Sequence, residues 1–373
     1  MIYFDNAATT RFKPLCVKSA VIKELSRSAN PGRSGHDASI RAATEVEECR
    51  EIINKVFFDG KVVFTKNCTE ALNLAIFGSR PKNQVVTTVT EHNSVLRPLR
   101  YLEKTGKIKL TIIRPDKDGY AVPLQKALTI PTSMVIIGGM SNVTGQSNDI
   151  ATLSKIVKEK SDALFLCDMA QAAGHIKIDF SYVDMAAFAG HKSLHGIQGT
   201  GFLIVKNNLT LSPLIMGGTG SYSLSLEHPN DIPEGMEAGT INTPGIAALR
   251  RGIEWTYKRF DKVNKKIGRV HKYLCDGFAH VDNLEVIAAD NGIILTNVKG
   301  MAPSEFADRL NENGICVRAG LHCAPLAHEF LKTLPDGAVR FSAGFNNDIS
   351  DAERTVEVVE KICHTVIFGR VYW

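Results

Sequence analysis

The chain has 373 residues, 44% of them apolar and 22% charged, which predicts a globular protein of two or three structural units. No stretch approaches the roughly 18 consecutive apolar residues of a membrane span, and the N-terminus lacks the basic and apolar segments of an export signal, so we expect a cytoplasmic protein without membrane contact. The 44 basic and 39 acidic residues are spread along the chain, so the formal charge of +5 gives no reason to expect a nucleic-acid partner.

Short apolar, β-branched runs alternate with helical stretches through the first half of the chain. The runs cover 61–64, 84–89, 133–139, 163–168, 185–190 and 201–205, and the amphipathic stretches at 40–57 and 150–161 supply helices. This alternation predicts an α/β domain with a largely parallel sheet that is buried on both faces.

A Gly- and Ser-rich stretch at 216–245 then breaks the pattern, and we interpret it as a long functional or interface loop. A helical region at about 243–282 follows. Short strands and a helix near 303–313 alternate after it, which predicts a smaller α+β domain. The strands cover 284–288, 292–298, 314–320 and 338–344.

The eight cysteines are scattered and include no C-x-x-C pair, so we predict neither a disulfide framework nor a structural zinc site. At most one or two of these thiols should carry chemistry. The cysteines lie at positions 16, 49, 68, 167, 275, 316, 323 and 363.

Candidate ligand-binding residues follow the strand ends. In "VVFTKNCTEALNLAIFG" a helix begins near Cys68 and Thr69, and its free backbone N–H groups could bind an anion, although an ordinary capped helix has the same pattern. The strand in "LFLCDMAQAAGH" ends at Asp168, where ligands bind in open α/β sheets, although a helix N-cap also fits. In "DMAAFAGHKSLHG", Lys192 follows His191 at the next strand end.

A lysine in a partly desolvated cleft loses proton affinity and becomes nucleophilic, as a Schiff base requires. A surface lysine with a buried stem is the alternative for Lys192. A metal site at His191 and His195 lacks the glutamate of a zincin motif, so we predict no metal.

The C-terminal third contributes a thiol and a cation. In "VRAGLHCAPLAH", Arg318 and His322 flank Cys323, and a neighbouring cation favours the thiolate, although an inert buried cysteine is equally compatible. Arg340 in "AVRFSAGFNN" suits a bidentate hold on a carboxylate, with a surface salt bridge as the alternative. An acid, then a lysine at the next strand end, and an anion-binding helix start are together what pyridoxal phosphate (PLP) requires.

Nine motifs then carry a resemblance along nearly the whole chain. They are "YFDNAATT", "FTKNCTEALNL", "TEHNSVLRP", "SNVTGQ", "DMAQAAGH", "GHKSLHG", "EAGTINTPG", "RAGLHCA" and "VRFSAGFNN". The chain resembles the fold-type I PLP enzymes of the class V aminotransferase family, in the branch of cysteine desulfurases and selenocysteine lyases. The resemblance implies an α/β fold with a mostly parallel, seven-stranded-type sheet. We expect a large PLP-binding domain at 15–255, and a small α+β domain at 1–14 and 256–373 that carries the cysteine loop.

For the cofactor ring, the resemblance implies that Lys192 forms the Schiff base, Asp168 pairs with the pyridine nitrogen and Gln171 contacts the ring hydroxyl. His92 would stack on the ring and serve as a proton donor, and Asn142 would lie beside cofactor and substrate.

For the cofactor phosphate, the resemblance implies contacts from Cys68, Thr69 and His191, with Thr240 reaching over from the second subunit of a homodimer. Cys68 stands where the family has threonine, and Ala189 stands where it has serine or threonine. We expect these departures to weaken the phosphate grip without abolishing it.

For the reaction, the resemblance implies that Arg340 holds the substrate carboxylate and that the Cys323 thiolate takes sulfur from L-cysteine, releasing L-alanine. Arg318 and His322 would lie beside the substrate in the same loop, whose shortness resembles the group II (Suf-type) members. The persulfide on Cys323 would pass to a sulfur-acceptor protein or a thiol reductant.

Three alternatives remain at this point. The chain could be a selenocysteine lyase or cysteine-sulfinate desulfinase. It could be another PLP enzyme of the family that does not use the thiol. It could also be a non-catalytic sulfur carrier on a decayed cofactor fold, which the alanine at position 189 would fit.

Overall fold

The computed structural model describes residues 1–32, 34–221 and 223–367. Its helices are α1 (Leu15–Leu25), α2 (Asp37–Val56), α3 (Cys68–Gly78), α4 (Asn93–Lys104), α5 (Ala121–Ala127), α6 (Ile150–Lys160), α7 (Thr243–Lys258), α8 (Phe260–Phe278), α9 (Pro303–Glu312), α10 (Pro325–Phe330) and α11 (Ile349–Ile367). The first eight strands are β1 (Ile2–Tyr3), β2 (Lys61–Thr65), β3 (Gln84–Thr88), β4 (Lys109–Ile113), β5 (Thr132–Gly138), β6 (Leu164–Asp168), β7 (Met185–Ala189) and β8 (Gly201–Val205). The others are β9 (Leu284–Asp290), β10 (Ile293–Val298), β11 (Ile315–Cys316), β12 (Arg318–Gly320) and β13 (Ala338–Ser342).

The larger sheet has seven strands in the order β2-β8-β7-β6-β5-β3-β4. Strands β3 to β7 pair in parallel, and β8 runs antiparallel to both of its neighbours. The predicted mostly parallel, seven-stranded sheet is therefore confirmed. From β3 the chain first adds β4 on one side and then β5 on the other, so the direction in which strands are added changes between β5 and β3. The helices that connect the parallel strands cover both faces of the sheet.

Side-chain alternation along the strands supplies a core on each face of this sheet. Val62 and Ile204 belong to the apolar cluster on one face, whereas Val63 and Leu203, one residue away on the same strands, belong to the cluster on the other. Both clusters are almost fully buried, as expected for a sheet sandwiched between helices.

The C-terminal third forms a second sheet with its own core. Strands β12, β13, β10 and β9 make an antiparallel four-stranded sheet, and the N-terminal strand β1 pairs in parallel with β11, with Ile2 opposite Ile315. Phe4, Phe306 and Phe341 lie in the third apolar cluster. The division at residue 255 into two domains stays a prediction.

Three sequence predictions need correction. Strand β4 was not anticipated, and the helical region at 243–282 is two helices that break at Arg259, whose backbone leaves the helical region. The predicted strand at 314–320 is the two short strands β11 and β12, which belong to different sheets. Among the described residues, none of the helices is long and apolar enough to cross a membrane.

Candidate active site

A cavity of about 220 Å³ opens at the carboxyl ends of the central strands of the larger sheet. Ligands bind at this edge in α/β sheets because the strand ends and helix starts converge there. Most of the sequence-predicted site residues line this one cavity. They are Cys68, Thr69, His92, Asn142, Asp168, Gln171, His191, Lys192, Arg318, His322 and Arg340.

Lys192 follows the end of β7 in a turn that the N-terminal segment holds in place. The Thr10 hydroxyl lies 3.1 and 3.0 Å from the carbonyl oxygens of His191 and Lys192, and the half-buried Lys13 ammonium donates to the His191 carbonyl at 2.9 Å. Burial lowers the pKa of Lys192, while the carboxylate of Asp168 opposes this shift. The Lys192 amine is thus more easily deprotonated than a surface lysine.

Asp168 ends β6 and points its carboxylate into the cavity. Its Oδ1 accepts from the Ala170 backbone N–H at 2.8 Å and lies 3.5 Å from Cys68 Sγ. Burial, reinforced by the Asp168 charge, raises the pKa of the Cys68 thiol well above its usual range. Cys68 is therefore an S–H donor to the carboxylate and not a nucleophile. The Gln171 amide, three residues further along, donates to the Ala7 carbonyl at 2.9 Å.

His92 caps the N-terminus of α4. Its Nδ1 accepts from the Ser94 backbone N–H at 3.1 Å, so in the neutral ring the proton lies on Nε2. Burial lowers the pKa of His92 to about 4, which keeps the ring neutral near pH 7. The ring can therefore offer an apolar face and one N–H donor to the cavity.

An anion cradle lies at the start of α3. The Asn67 side chain accepts from the Glu70 backbone N–H at 2.9 Å, while the first N–H groups of the helix, at Cys68 and Thr69, have no acceptor within the helix. A side chain at Gly201 of β8 would meet the Asn67 backbone at 2.5 Å, so this glycine lets the helix start lie directly on the sheet. Among the described residues, the buried His191 Nδ1 has no hydrogen-bond partner.

Arg340 lies in β13 and is only 1% exposed, so the surface salt bridge considered from the sequence is excluded. Its Nη1 donates to the Asn142 carbonyl at 2.8 Å and its Nη2 to the Asp5 carboxylate at 2.9 Å. Its Nε is buried and has no partner among the described residues. Two donors of the guanidinium therefore bind Asn142 and Asp5, and its Nε–H remains available to bind a ligand.

Cys323 is exposed, so the alternative of an inert buried thiol is excluded. It does not itself line the cavity, but its neighbour His322 does. Arg318 Nη2 lies 3.8 Å from the Cys323 Sγ, within reach of a hydrogen bond to sulfur. His322 and Cys323 have φ angles of 50° and 56°, and the Ala324 N–H donates to the Leu321 carbonyl at 2.8 Å. This is a type I′ turn without glycine, and each left-handed residue costs roughly 1–2 kcal/mol.

Two hydrogen bonds from segments that follow strands of the larger sheet hold this turn. The Asn142 amide donates to the His322 carbonyl at 2.8 Å, and the Asn93 backbone N–H donates to the Cys323 carbonyl at 2.7 Å. Both ring nitrogens of His322 are engaged by Arg318 and His328, so a substrate contact by this ring would require one of these hydrogen bonds to break.

Thr240 is exposed and does not line the cavity of its own chain. It lies in a separate cleft with Phe64, Thr65 and Glu237. The predicted phosphate contact by Thr240 from a second subunit stays a prediction, as do the individual roles assigned to the other site residues.

Three groups of the site were not predicted from the sequence. Glu91 is a buried carboxyl in the cavity wall, Lys13 supports the turn that carries Lys192, and Asp5 pairs with Arg340. Glu91 was recognisable as an acid that follows the end of β3 directly before His92. Lys13 and Asp5 have no local signal, because their partners are distant in sequence.

Comparison with known proteins identifies the family. The model described as "Aminotransferase class-V" matches residues 2–355. The chain belongs to this family. A "Probable cysteine desulfurase" from Pyrococcus abyssi is 32% identical over 97% of this chain and 94% of its own length. Another from Methanothermobacter thermautotrophicus is 30% identical over 97% of this chain and 94% of its own.

Among solved structures, the apo structure of a cysteine desulfurase from Thermococcus onnurineus NA1 is 29% identical and has a TM-score of 0.90. The match covers 97% of this chain and 94% of that one. The class-V membership and the fold-type I architecture that the motifs implied are confirmed by these matches.

Proposed function

We propose that this class-V enzyme is a PLP-dependent cysteine desulfurase, which converts L-cysteine to L-alanine and leaves a persulfide on Cys323. The observation that carries the proposal is an exposed thiol 3.8 Å from Arg318, a residue that lines the same cavity as Lys192 and Asp168. Relatives that match nearly the whole chain bear the name cysteine desulfurase.

The residues of the cavity fit PLP. The unpartnered His191 Nδ1 and the start of α3 suit its phosphate, Asp168 suits its pyridinium nitrogen, and Lys192 suits its aldehyde. Ala189 at the end of β7 offers no hydroxyl, so the grip on the phosphate depends on the helix start and His191. When bound, the cofactor supplies an electron sink for the substrate carbanion.

The chain's own groups then bind substrate and move protons. Arg340 offers its Nε to the substrate carboxylate. The Lys192 amine, whose pKa burial lowers, takes the proton from the substrate Cα. The neutral His92 donates from Nε2 to the substrate carbon that the sulfur leaves.

Sulfur transfer belongs to Cys323. Its thiolate attacks the substrate sulfur, so that an S–S bond forms while the substrate C–S bond breaks and its electron pair stays on carbon. Protonation of that carbon yields alanine, and the net reaction is L-cysteine plus Cys323 thiol giving L-alanine plus Cys323 persulfide. The exposed position of Cys323 suits transfer of this sulfur to an acceptor protein or a thiol reductant.

We also propose that the enzyme is a homodimer. Thr240 lies away from its own cavity, and the Gly- and Ser-rich segment carries the fully exposed side chains of Leu224 and Leu226, which an interface would cover. The cytoplasmic location expected from the sequence stays a prediction.

The test measures alanine and sulfide formed from L-cysteine with a thiol reductant present. We expect Cys323→Ala to lower both to background while keeping the visible absorbance of the bound cofactor, and Lys192→Ala to lose both activity and that absorbance. Buried Cys167→Ala, in β6, is the matched thiol control and should retain activity.

The outcomes also separate the alternatives. Cysteine turnover that survives Cys323→Ala refutes the thiol mechanism. Turnover of selenocysteine or cysteine sulfinate by a wild type that does not act on cysteine would identify one of those activities instead. Keto-acid products in place of alanine would indicate an enzyme that does not use the thiol.

A further inference from the structure

The turn that carries Cys323 is held by a chain of hydrogen bonds that begins outside the cavity. His322 Nε2 lies 3.1 Å from the Arg318 carbonyl, and His322 Nδ1 lies 3.1 Å from His328 Nε2. His328 Nδ1 in turn lies 2.7 Å from the Thr333 hydroxyl. The two imidazoles are 3% and 0% exposed and nearly parallel, with 5.3 Å between their centroids.

The Arg318 carbonyl sets the donor and acceptor roles along this series of hydrogen bonds. A carbonyl can only accept, so His322 Nε2 carries the proton and, in the neutral ring, Nδ1 accepts. His328 Nε2 must then donate and its Nδ1 must accept. The Thr333 hydroxyl, which also lies 3.2 Å from the His328 carbonyl, must therefore donate to Nδ1, the shorter contact at 2.7 Å. Every position in the chain is thus determined, and reversing either ring places two donors or two acceptors face to face.

Both rings are held neutral by their surroundings. Burial, with Arg340 on β13 and Arg318 on β12 facing the ring, lowers the pKa of His322 to about 3. Burial lowers the pKa of His328 on α10 to about 4. The charged groups that face His322 are cations, so the directional chain persists across the physiological pH range.

The series of hydrogen bonds ends at the strained turn that carries Cys323. His322 and Cys323 are the two left-handed residues of the type I′ turn, a conformation that favours Asn-Gly over a histidine and a cysteine. Such a conformation persists only when its surroundings determine it. Asn142 and Asn93 hold the two carbonyls of the turn, and the ring of His322 is its third anchor.

We propose that His328 is a positioning residue for Cys323, because its Nε2–H fixes the His322 ring and thereby the left-handed turn that presents the thiol. Its contribution to sulfur transfer rests on the proposed desulfurase function, whereas its hold on the turn does not. His328 touches neither substrate nor thiol, and its effect passes through His322.

The test compares His328→Leu, which removes the donor, with His328→Gln, whose amide can donate to His322 Nδ1. Two quantities are measured on the full-length enzyme loaded with cofactor. The first is hydrogen exchange of the peptide that contains the Ala324 amide, which closes the turn. The second is the pair kcat and KM for alanine formation from L-cysteine.

We expect His328→Leu to speed that exchange by about tenfold or more and to lower kcat by about tenfold, with KM within about twofold. His328→Gln should restore both quantities to within about threefold of wild type. Leu331→Ala thins the packing around the same helix without touching either ring, and it should leave both quantities within about threefold.

Thr333→Val and Thr333→Ser form a second pair in case His328→Leu does not fold. Valine removes the donor to His328 Nδ1 and should reproduce the faster exchange, whereas serine keeps it. Exchange and kcat unchanged in both His328→Leu and Thr333→Val would overturn the proposal, as would a loss shared equally by His328→Gln. A wild type that forms no alanine refutes the proposed function alone, because the exchange measurement still decides the hold on the turn.

Discussion

Two thiols near the cavity show how strongly position sets chemistry at the scale of a residue. Burial, reinforced by the Asp168 charge, raises the pKa of the Cys68 thiol and keeps it protonated, whereas Cys323 is exposed beside the Arg318 guanidinium. The sequence indicated Cys323 from its neighbours Arg318 and His322. It could not show that Cys68 contacts a carboxylate one hundred positions later.

Glu91 carries the pH dependence that we expect at this scale. It accepts from the Thr88 hydroxyl at 2.7 Å and the Gly138 N–H at 3.0 Å, and burial raises its pKa to about 8. The folded protein thus keeps a proton on Glu91 that the unfolded chain releases above about pH 4.5. The contribution of Glu91 to the free energy of unfolding therefore falls by about 1.4 kcal/mol per pH unit as pH rises towards 8.

Glu91→Gln mimics the protonated acid and removes this dependence. Relative to wild type, the variant should gain stability between pH 5.5 and 7.5, as measured by urea unfolding at both values. Glu353, an exposed residue of α11, supplies the control. Glu353→Gln should show the same change in the free energy of unfolding between pH 5.5 and 7.5 as wild type. Parallel pH profiles of wild type and Glu91→Gln would contradict the expectation.

Among the elements, the Gly- and Ser-rich segment is anchored by one buried ion pair. Glu237 accepts from Arg50 Nη2 of α2 at 2.7 Å and from the Phe64 N–H of β2 at 2.6 Å, and the Arg50 guanidinium lies 4.7 Å from the Phe64 ring centroid. Burial raises the pKa of Glu237 and Arg50 opposes that shift. The segment is thus tied to α2 and β2.

We expect Arg50→Met to destabilise the protein by about 3–5 kcal/mol, because it leaves the Glu237 carboxylate buried without its cation. Adding Glu237→Gln removes the stranded charge and should recover much of that loss, which a double-mutant cycle by thermal or urea unfolding measures. If the loss of stability in the double variant equals the sum of the losses in Arg50→Met and Glu237→Gln, the two side chains do not act as a pair.

The strands of the larger sheet were predictable from sequence wherever both faces are buried. Strands β3, β5, β6, β7 and β8 each contain a short apolar run, from the two valines of β3 to the whole of β7, and most of their residues are buried. Strand β4 was missed because it is the edge strand, and "KLTII" exposes its first residue and half-buries the next three. The break between α7 and α8 was missed because the apolar periodicity continues through Arg259 without Gly or Pro.

At the scale of the whole molecule, the proposed dimer gives the next prediction. Leu224→Lys combined with Leu226→Lys places two charges on side chains that are fully exposed in one chain. We expect wild type to be a dimer by light scattering after size exclusion, and this variant to be a monomer that retains less PLP after dialysis. Ile130→Lys, an exposed apolar position just before β5, is the control.

A monomeric wild type with full cofactor content would refute the dimer and the role of Thr240 from a second subunit. A variant that stays dimeric would exclude the two leucines from the interface.

Most residues of the site could be predicted from the sequence, but most of the contacts that hold them together could not. The strand-end rule brought Asp168 and Lys192 together, because both follow neighbouring parallel strands. The pairing of Asp5 with Arg340 and of Asn93 with Cys323 joins segments hundreds of residues apart. No local periodicity encodes such contacts.

The pairing of β1 with β11 has a consequence for synthesis on the ribosome. Strands β2 to β8 can pair once residue 205 has emerged, but the N-terminal strand must wait for residues 315 and 316, and Asp5 must wait for Arg340. Strand β1 is thus among the last elements to find its partner. The nascent chain holds Lys192 in an incomplete cavity until nearly all of its length has been made, so loading with cofactor should follow translation.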